Sequence, residues 1–437
     1  MSVKAVCVIG CILLGISARG AAEDDGQSQP RIWALLVAGS KYYINYRHQA
    51  DICHAYQVLH RHGVPDERIV VMMYDDIAHS DSNPSPGVLI NHPNGSNVYE
   101  GVIKDYTGDE VSPQNFLKVL RGDKEAMHEI GSGKVIDSKP EDHIFVYFAD
   151  HGAPNLILFP TDAYLHGKDL VDTLKEMHAN DRFSKLVFYL EACESGSMFS
   201  EILPANINVF ATTAASPTES STACYWDEFR QTYLGDVYSV KWMEDSDAED
   251  LLKETLQTQY QIVKRETKTS AVEEYGDLSI GKMTLSKFQG HKKTEPITLP
   301  PVPCESVDSR QVTVAILKRK IQTAPDMDTR LKLQNDLTQL YRRRSFLERK
   351  MAQIVNHLKY DTSVFEKTLA SNQDHQCYRR VVDRFDEVCF GLGRNPHALG
   401  FMHVFVNMCA STRPNKAAEI LAALDTACDH PKTEGIV

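Results

Sequence analysis

The sequence predicts an α/β protein, a mostly parallel sheet flanked by helices, followed in the same chain by an all-α region. Three observations carry this prediction. Leu186–Leu190 and His143–Phe148 are unbroken apolar runs of strand length that stop abruptly at polar residues and a glycine, the pattern of strands buried on both faces. Ile32–Ala38, a helical stretch at His48–His62 and Ile69–Met73 follow one another at the spacing of a βαβ unit, which requires parallel pairing. Beyond the proline-rich 294–303 the periodicity turns wholly helical.

The elements follow in order. The first strand ends at Gly39-Ser40, and the first helix places Ile52, Tyr56 and Leu59 on one face before stopping at Gly63 and Pro65. Asp75–Tyr106 is polar and rich in Pro, Gly and Asn, hence loop. Pro113–Leu120 opens a helix that Arg121-Gly-Asp123 ends; that tripeptide reads as a helix-ending turn rather than an adhesion motif. Lys168–Ala179 is helical and Asn208–Thr213 is a further strand, whereas Ser216–Asp227 is small, polar and loop-like. Ser246-Asp-Ala-Glu249 has the form of a capping box opening a helix with Leu251, Leu252, Leu256, Tyr260 and Val263. Thr294–Pro303 is a stiff extended linker. After it, Val312–Gln322 and Thr329–Leu358 have helical spacing, the second with Leu331, Leu337, Leu340, Phe346, Leu347, Ile354 and Leu358 available to pack. The region after Asp326 is slightly basic while the rest carries the acidic excess, which favours docking of the two by complementary fields.

The chemistry gathers at two strand ends. Cys193 ends the Leu186–Leu190 strand and His151 ends the His143–Phe148 strand, each beside a glycine, Gly196 or Gly152. Parallel neighbours bring both ends to one edge, where open α/β sheets bind ligands. A thiol there can be a nucleophile and an adjacent imidazole its acid–base partner. Gly152 leaves room for a substrate backbone, and backbone amides near Gly152 and Cys193 can face an oxyanion.

The formal charge of −12 argues against nucleic acid as a partner. Met1-Ser-Val-Lys4, an apolar Ala5–Ile16 and small residues thereafter read as a signal peptide over 1–20. No later segment is apolar enough to span a membrane. The mature chain is expected in the secretory pathway, lysosomal/endosomal or secreted, without stable membrane insertion. Such a compartment permits disulfides among Cys377, Cys389, Cys409 and Cys428. Three connectivities are open, and no cysteine spacing fits a zinc template; neither metal nor cofactor is expected. Cys53 and Cys224 read as buried thiols, Cys304 as a linker thiol with no obvious partner, and Asn94-Gly-Ser96 as a glycosylation sequon on a loop.

Glu191-Ala-Cys-Glu-Ser-Gly-Ser197 and Tyr147-Phe-Ala-Asp-His-Gly152 resemble the nucleophile and histidine motifs of the legumains, asparaginyl endopeptidases on a caspase-like fold. The resemblance extends from Arg31 to the C-terminus through Gly39-Ser40, Asn45-Tyr-Arg-His-Gln-Ala-Asp51, Val71-Met-Met-Tyr-Asp-Asp76 and Trp242-Met-Glu-Asp-Ser246. It implies a caspase-like catalytic domain over 28–290, a linker and activation segment over 291–328, and a helical propeptide domain over 329–437. That propeptide would lie over the active site, with Arg342-Arg-Arg344 and Arg349-Lys350 on its long helix. The resemblance further implies catalytic Cys193 and His151 with Asn45 orienting the imidazole, and an asparagine pocket shaped by Arg47, His48, Glu191, Ser221 and Asp236. Asp150 is the position that cyclises to a succinimide in the family, and the family pairing joins Cys377 to Cys409 and Cys389 to Cys428. Implied partners are protein and peptide substrates, the chain's own propeptide and cystatin-type inhibitors.

Selection of asparagine needs a fixed donor and a fixed acceptor for the side-chain amide; Arg47 supplies the first, Asp236 and Glu191 the second. Aspartate would be accepted only when protonated, at acid pH. No asparagine lies between Asn208 and Asn335, so self-cleavage releasing the propeptide is expected after Asp326 or Asp328. Two other enzymatic readings share the motifs, a ligase that passes the acyl group to an amine and the catalytic subunit of GPI transamidase; the missing C-terminal apolar segment opposes the latter. A secreted non-catalytic binding protein is the reading from a different class.

Overall fold

A computed structural model describes residues 30–367, 369, 373–431 and 433–437. The expected signal peptide lies outside them. Among the described residues twelve strands form three sheets: β1 Ile32–Ala38, β2 Ile69–Met72, β3 His143–Ala149, β4 Gly152–Ala153, β5 Leu156–Leu158, β6 Tyr164–His166, β7 Lys185–Glu191, β8 Val209–Thr213, β9 Thr222–Asp227, β10 Thr232–Asp236, β11 Glu273–Gly276 and β12 Val307–Asp308. The helices are α1 Tyr46–Arg61, α2 Pro113–Arg121, α3 Lys124–Met127, α4 Gly167–Ala179, α5 Val237–Ala248, α6 Leu256–Glu266, α7 Ser286–Gln289, α8 Val312–Gln322, α9 Met327–His357, α10 His375–Val388, α11 Met402–Cys409 and α12 Lys416–Ala427.

The main sheet has the order β11-β8-β7-β3-β1-β2, with only β11 antiparallel. Strand alternation divides its side chains between two cores. Ala34, Leu36, Phe145 and Tyr147 face α1 and α5–α7; Leu35, Val37, Ile144, Val146 and Phe148 face α2 and α4. On the first face Trp242 is fully buried and meets Phe145, Tyr147 and Tyr189 edge-on at 5.9, 5.1 and 5.4 Å between ring centres, a geometry aromatic quadrupoles favour. Arg121 ends α2, and Gly122 takes the left-handed cap at φ 77°, so the tripeptide is the turn expected of it.

Three local expectations are corrected. Ser246 does not cap a helix; it lies in the last turn of α5, buried, and donates to Gln289 Oε1 at 2.7 Å. The next helix starts ten residues later, at Leu256, where Thr255 accepts from the Thr258 amide and caps α6. Thr222–Asp227, expected as loop, is β9, central to a three-stranded sheet of order β10-β9-β12. Leu331 on α9 is exposed rather than packed.

The C-terminal helices share one core, and its membership explains where they sit: Ala153, Leu156 and Leu158 of the β4–β6 sheet pack into it beside Met351, Phe385 and Phe405. Cys377 pairs with Cys409 and Cys389 with Cys428, tying α10 to α11 and to the end of α12. Loops of this size make each bridge worth about 3–4 kcal/mol through the unfolded chain. Among the described residues no helix is long and apolar enough to cross a membrane.

Candidate active site

Adjacent parallel strands deliver the two motifs to one edge. β3 and β7 run in register to Ala149 opposite Glu191, so Asp150-His151-Gly152 and Ala192-Cys193-Glu194 emerge side by side. A Cβ on Gly152 would stand 2.4 Å from the Cys193 carbonyl oxygen, a distance no side chain tolerates. The chain turns sharply after the buried Cys193 because Glu194 adopts the left-handed conformation, φ 49°, with its amide donating to Glu219 O at 2.7 Å. Such a conformation costs a non-glycine residue about 1–3 kcal/mol and persists where surrounding structure enforces it.

His151 donates from Nε2 to Asn45 Oδ1 at 2.9 Å, and Asn45 is fixed in turn by its amide to Lys41 O at 2.9 Å. With the proton on Nε2, Nδ1 is the basic nitrogen. The Cys193 Sγ lies 4.0 Å from Ser221 Oγ. Burial lifts the Cys193 thiol to about 11 against the pull of Arg310. Burial, with the charges of Arg47 and Arg310, pushes His151 down to about 3. Burial thus disfavours both the thiolate and the imidazolium in this closed site.

Beneath the pair lies a buried polar pocket. Arg47 is 1% exposed and donates from Nε to Asp236 Oδ1 at 2.9 Å, but among the described residues neither terminal nitrogen has a partner. Asp236 Oδ2 and Glu191 Oε1 are equally unpartnered, while Glu191 Oε2 accepts from Ser239 Oγ at 2.9 Å. Buried polar atoms are normally satisfied. Asp51 joins the group, accepting from the Asp236 amide at 3.3 Å. Burial first, and mutual repulsion second, drive the Asp51 and Glu191 carboxyls well above their ordinary range, and burial raises Asp236 against Arg47. His48 is held at Nδ1 by Ser40 Oγ at 2.7 Å and lies 3.5 Å from both Asp150 and Asp236; burial keeps it neutral. Asp150 is buried with its carboxyl well above the ordinary range for the same reason. His48, Asp150 and His151 each offer an atom within 4.8 Å of the others, enough to hold a metal ion, although Ser40 and Asn45 already engage the two imidazoles.

The edge is covered by the chain itself. β12 pairs antiparallel with β9, Asp308 opposite Thr222, and the Ser309 amide donates to Ser221 O at 3.0 Å. Arg310 then enters the site: Nη1 donates to Glu194 Oε1 at 2.8 Å and Ser220 Oγ at 3.0 Å, and Nη2 to Gly152 O at 3.0 Å and to Glu194 Oε2. Arg344 of α9 grips the same segment, donating to Arg310 O and Gln311 Oε1, each at 2.9 Å. Around it Tyr378 donates to Pro154 O at 2.6 Å, Arg379 meets Asp169 at 2.6 Å and Arg394 meets Asp162 at 3.1 Å. A cavity of about 610 Å³ remains, walled by Asn45, Asp150 and His151 on one side and by Arg394 and Gly435 on the other.

The structure thus brings together Cys193, His151, Asn45, Gly152, Arg47, His48, Glu191, Ser221, Asp236 and Asp150. Of the basic residues expected on the long helix over the site, Arg344 reaches the covering segment; Arg342, Arg343 and Arg349 are exposed and Lys350 bonds Ala427 O. The cation placed on the site is Arg310, which the sequence does not signal, since a single arginine between a proline-rich stretch and a helix has no pattern. Asp51 was visible only as part of a longer motif. Asp326 caps α9 through the Thr329 amide at 2.7 Å, and Asp328 lies in its first turn; both are exposed. Asn94 is exposed on its loop.

Two family models match the chain: the Peptidase C13 family over residues 32–291 and the legumain prodomain over 335–428. Mouse legumain is 48% identical over 431 residues, covering 97% of this chain and 98% of the relative. The hemoglobinase of Schistosoma mansoni is 43% identical, covering 89% and 90%, and the vacuolar-processing enzyme beta-isozyme 1 of rice 40%, covering 92% and 87%. A thiol and an imidazole at adjoining strand ends, above a buried arginine and beneath the chain's own C-terminal region, are thus found in a chain that belongs to the C13 family of cysteine endopeptidases, the legumains.

Proposed function

We propose that this peptidase cleaves after asparagine, accepts aspartate only in acid, and is made as a zymogen closed by its own linker. The observation that carries the specificity is the set of unpartnered atoms in the pocket: two Arg47 nitrogens beside Asp236 Oδ2 and Glu191 Oε1. A carboxamide satisfies both at once, its oxygen accepting from the guanidinium and its NH2 donating to a carboxylate. Glutamine carries the amide one methylene too far. Protonated aspartic acid offers an O–H where asparagine offers N–H, whereas ionised aspartate meets carboxylates.

In the reaction, Cys193 attacks the carbonyl carbon, its proton passing to His151 Nδ1. Backbone amides near Gly152 and Cys193 face the developing oxyanion, and the imidazolium returns the proton to the leaving amine, giving an acyl-enzyme that water hydrolyses. Asn45 holds the imidazole. Arg310 and β12 occlude this edge in the zymogen, and cutting after Asp326 or Asp328 separates the α9–α12 region from the catalytic part. Because Asp326 and Asp328 open α9, the first helical turn must unwind for either bond to enter a cleft.

Acid-treated protein should be assayed on matched peptides ending in Asn, Asp or Gln between pH 4 and pH 7, with Cys193→Ser as the control. Hydrolysis after Asn throughout, after Asp only at the acid end, and none after Gln is expected. Equal rates on Asn and Gln would refute the pocket assignment. Transfer to an added amine instead of water would identify a ligase.

A further inference from the structure

The sequence reads Cys224 as a buried thiol and Cys304 as a linker thiol with no obvious partner; the fold makes them neighbours. Cys224 is fully buried in β9, two residues past the Thr222 that pairs with Asp308. Cys304 packs against the same apolar cluster. The antiparallel register, Val307 opposite Ala223, lays residues 304–306 along 224–226. A turn follows, closed by the Glu305 amide to Pro303 O at 3.1 Å. Tyr225 between them has a left-handed backbone, φ 59°, and the two thiols are close enough to perturb one another, burial and Cys304 raising Cys224 while Cys224 lowers Cys304. Cys304 is partly exposed, so a small thiol reagent can reach it. The chain also carries two cystines in its helical region, whose formation needs the same class of oxidant.

We propose that Cys304 and Cys224 form a third, reversible disulfide that staples the linker to β9 and holds the closing segment, Val307–Arg310, in the active-site cleft. This rests on the reading that Arg310 and β12 close the site. The oxidant is a small-molecule disulfide of the glutathione type. The Cys304 thiolate attacks one of its sulfurs, forming a mixed disulfide and expelling one thiolate. Cys224, giving up its proton, attacks the Cys304 sulfur and expels the second. Two cysteine thiols are oxidised and one reagent disulfide is reduced to two thiols. The neighbouring Cys224 lowers Cys304 against the opposing effect of burial, with Lys241 favouring the thiolate and Glu244 opposing it. That suits Cys304 as the first attacker.

The staple lies only three residues before β12, so the closing strand stays at high effective concentration even after the chain is cut beyond it. Cleavage after Asp326 alone would then leave a cut but occluded enzyme, and reduction would release it.

The full-length chain, equilibrated with oxidised or reduced glutathione, acid-quenched, alkylated and mapped by mass spectrometry, tests the bond directly. A Cys224–Cys304 linked peptide in the oxidised sample, absent from the reduced one, is expected. Both cysteines alkylated in both samples would overturn the proposal. This readout needs no activity, so it stands apart from any failure of the closure reading. For function, oxidised and acid-cleaved wild type should be about tenfold less active than identically treated Cys304→Ser, and equal to it after reductant. Identical responses of the two proteins to reductant would overturn the staple's role.

Discussion

Two buried arginines meet at this site and are used in opposite ways. Arg47 commits only Nε, to Asp236, and leaves both terminal nitrogens unpartnered. Arg310 commits both terminal nitrogens, to Glu194, Ser220 and Gly152, and leaves only Nε free. Unsatisfied buried donors are expensive, so in the proposed reading the first arrangement is that of a site waiting for a ligand and the second that of the ligand's substitute. The same residue type reads as receptor or as occupant according to which of its nitrogens the fold has already engaged.

Arg47→Ala should have the largest effect on this contrast. It leaves Asp236 buried without its ion-pair partner, which should cost about 3–5 kcal/mol of stability. In protein that still folds, kcat/KM on asparagine peptides should fall by about 10³-fold or more, and Arg47→Lys should recover little of it because the fork geometry is lost.

A pH series sharpens the same point. The Asp51, Glu191 and Asp236 carboxyls lie above their unfolded values, so their support for the fold is complete below about pH 4 and is withdrawn as pH rises toward the raised values. The protein should lose stability between acid and neutral pH. In Glu191→Gln that loss should shrink by about 1 kcal/mol or more, measured by thermal melts in a Cys193→Ser background to prevent self-digestion. An unchanged pH dependence would remove Glu191 from the group.

The smallest effect belongs to the rim. Burial raises Asp383, but hydrogen bonds from His166 and Tyr164 outweigh it and hold the carboxyl below its ordinary range. Its contribution to docking is therefore present above that range and lost only as pH falls through the lowered value. Since the group is half exposed, Asp383→Asn should change stability by a few tenths of a kcal/mol at neutral pH. A larger loss would mean that the rim, rather than Arg310, holds the helical region down.

Much of the frame was legible because it is local. Strands buried on both faces announce themselves as apolar runs, and their polar ends marked Cys193 and His151 before any contact was known. What stayed hidden depends on pairings distant in sequence. Thr222–Asp227 looks like loop because its small and polar residues alternate weakly, yet β10 and the remote β12 make it a strand. Ser246 has the residues of a cap, but packing of α5 against Gln289 overrides them. Leu331 has helical spacing and nothing to cover it. The Arg47 pocket was legible as a motif; that its atoms are unpartnered was not, since satisfaction belongs to the fold rather than to the residue. Arg310 and the Cys224–Cys304 pair lie in or against the linker, where composition describes stiffness and nothing about contact.

Closure by Arg310 is tested most directly by the rate at which a small alkylating reagent modifies Cys193 in the intact, uncleaved chain at neutral pH, compared between wild type and Arg310→Ala. Removal of the guanidinium opens the edge, so labelling of Cys193 should rise by about 100-fold or more, equivalent to about 2.7 kcal/mol of protection, with the chain still uncut. Equal labelling rates would contradict closure by this segment and shift the latency of the zymogen to the helical region alone.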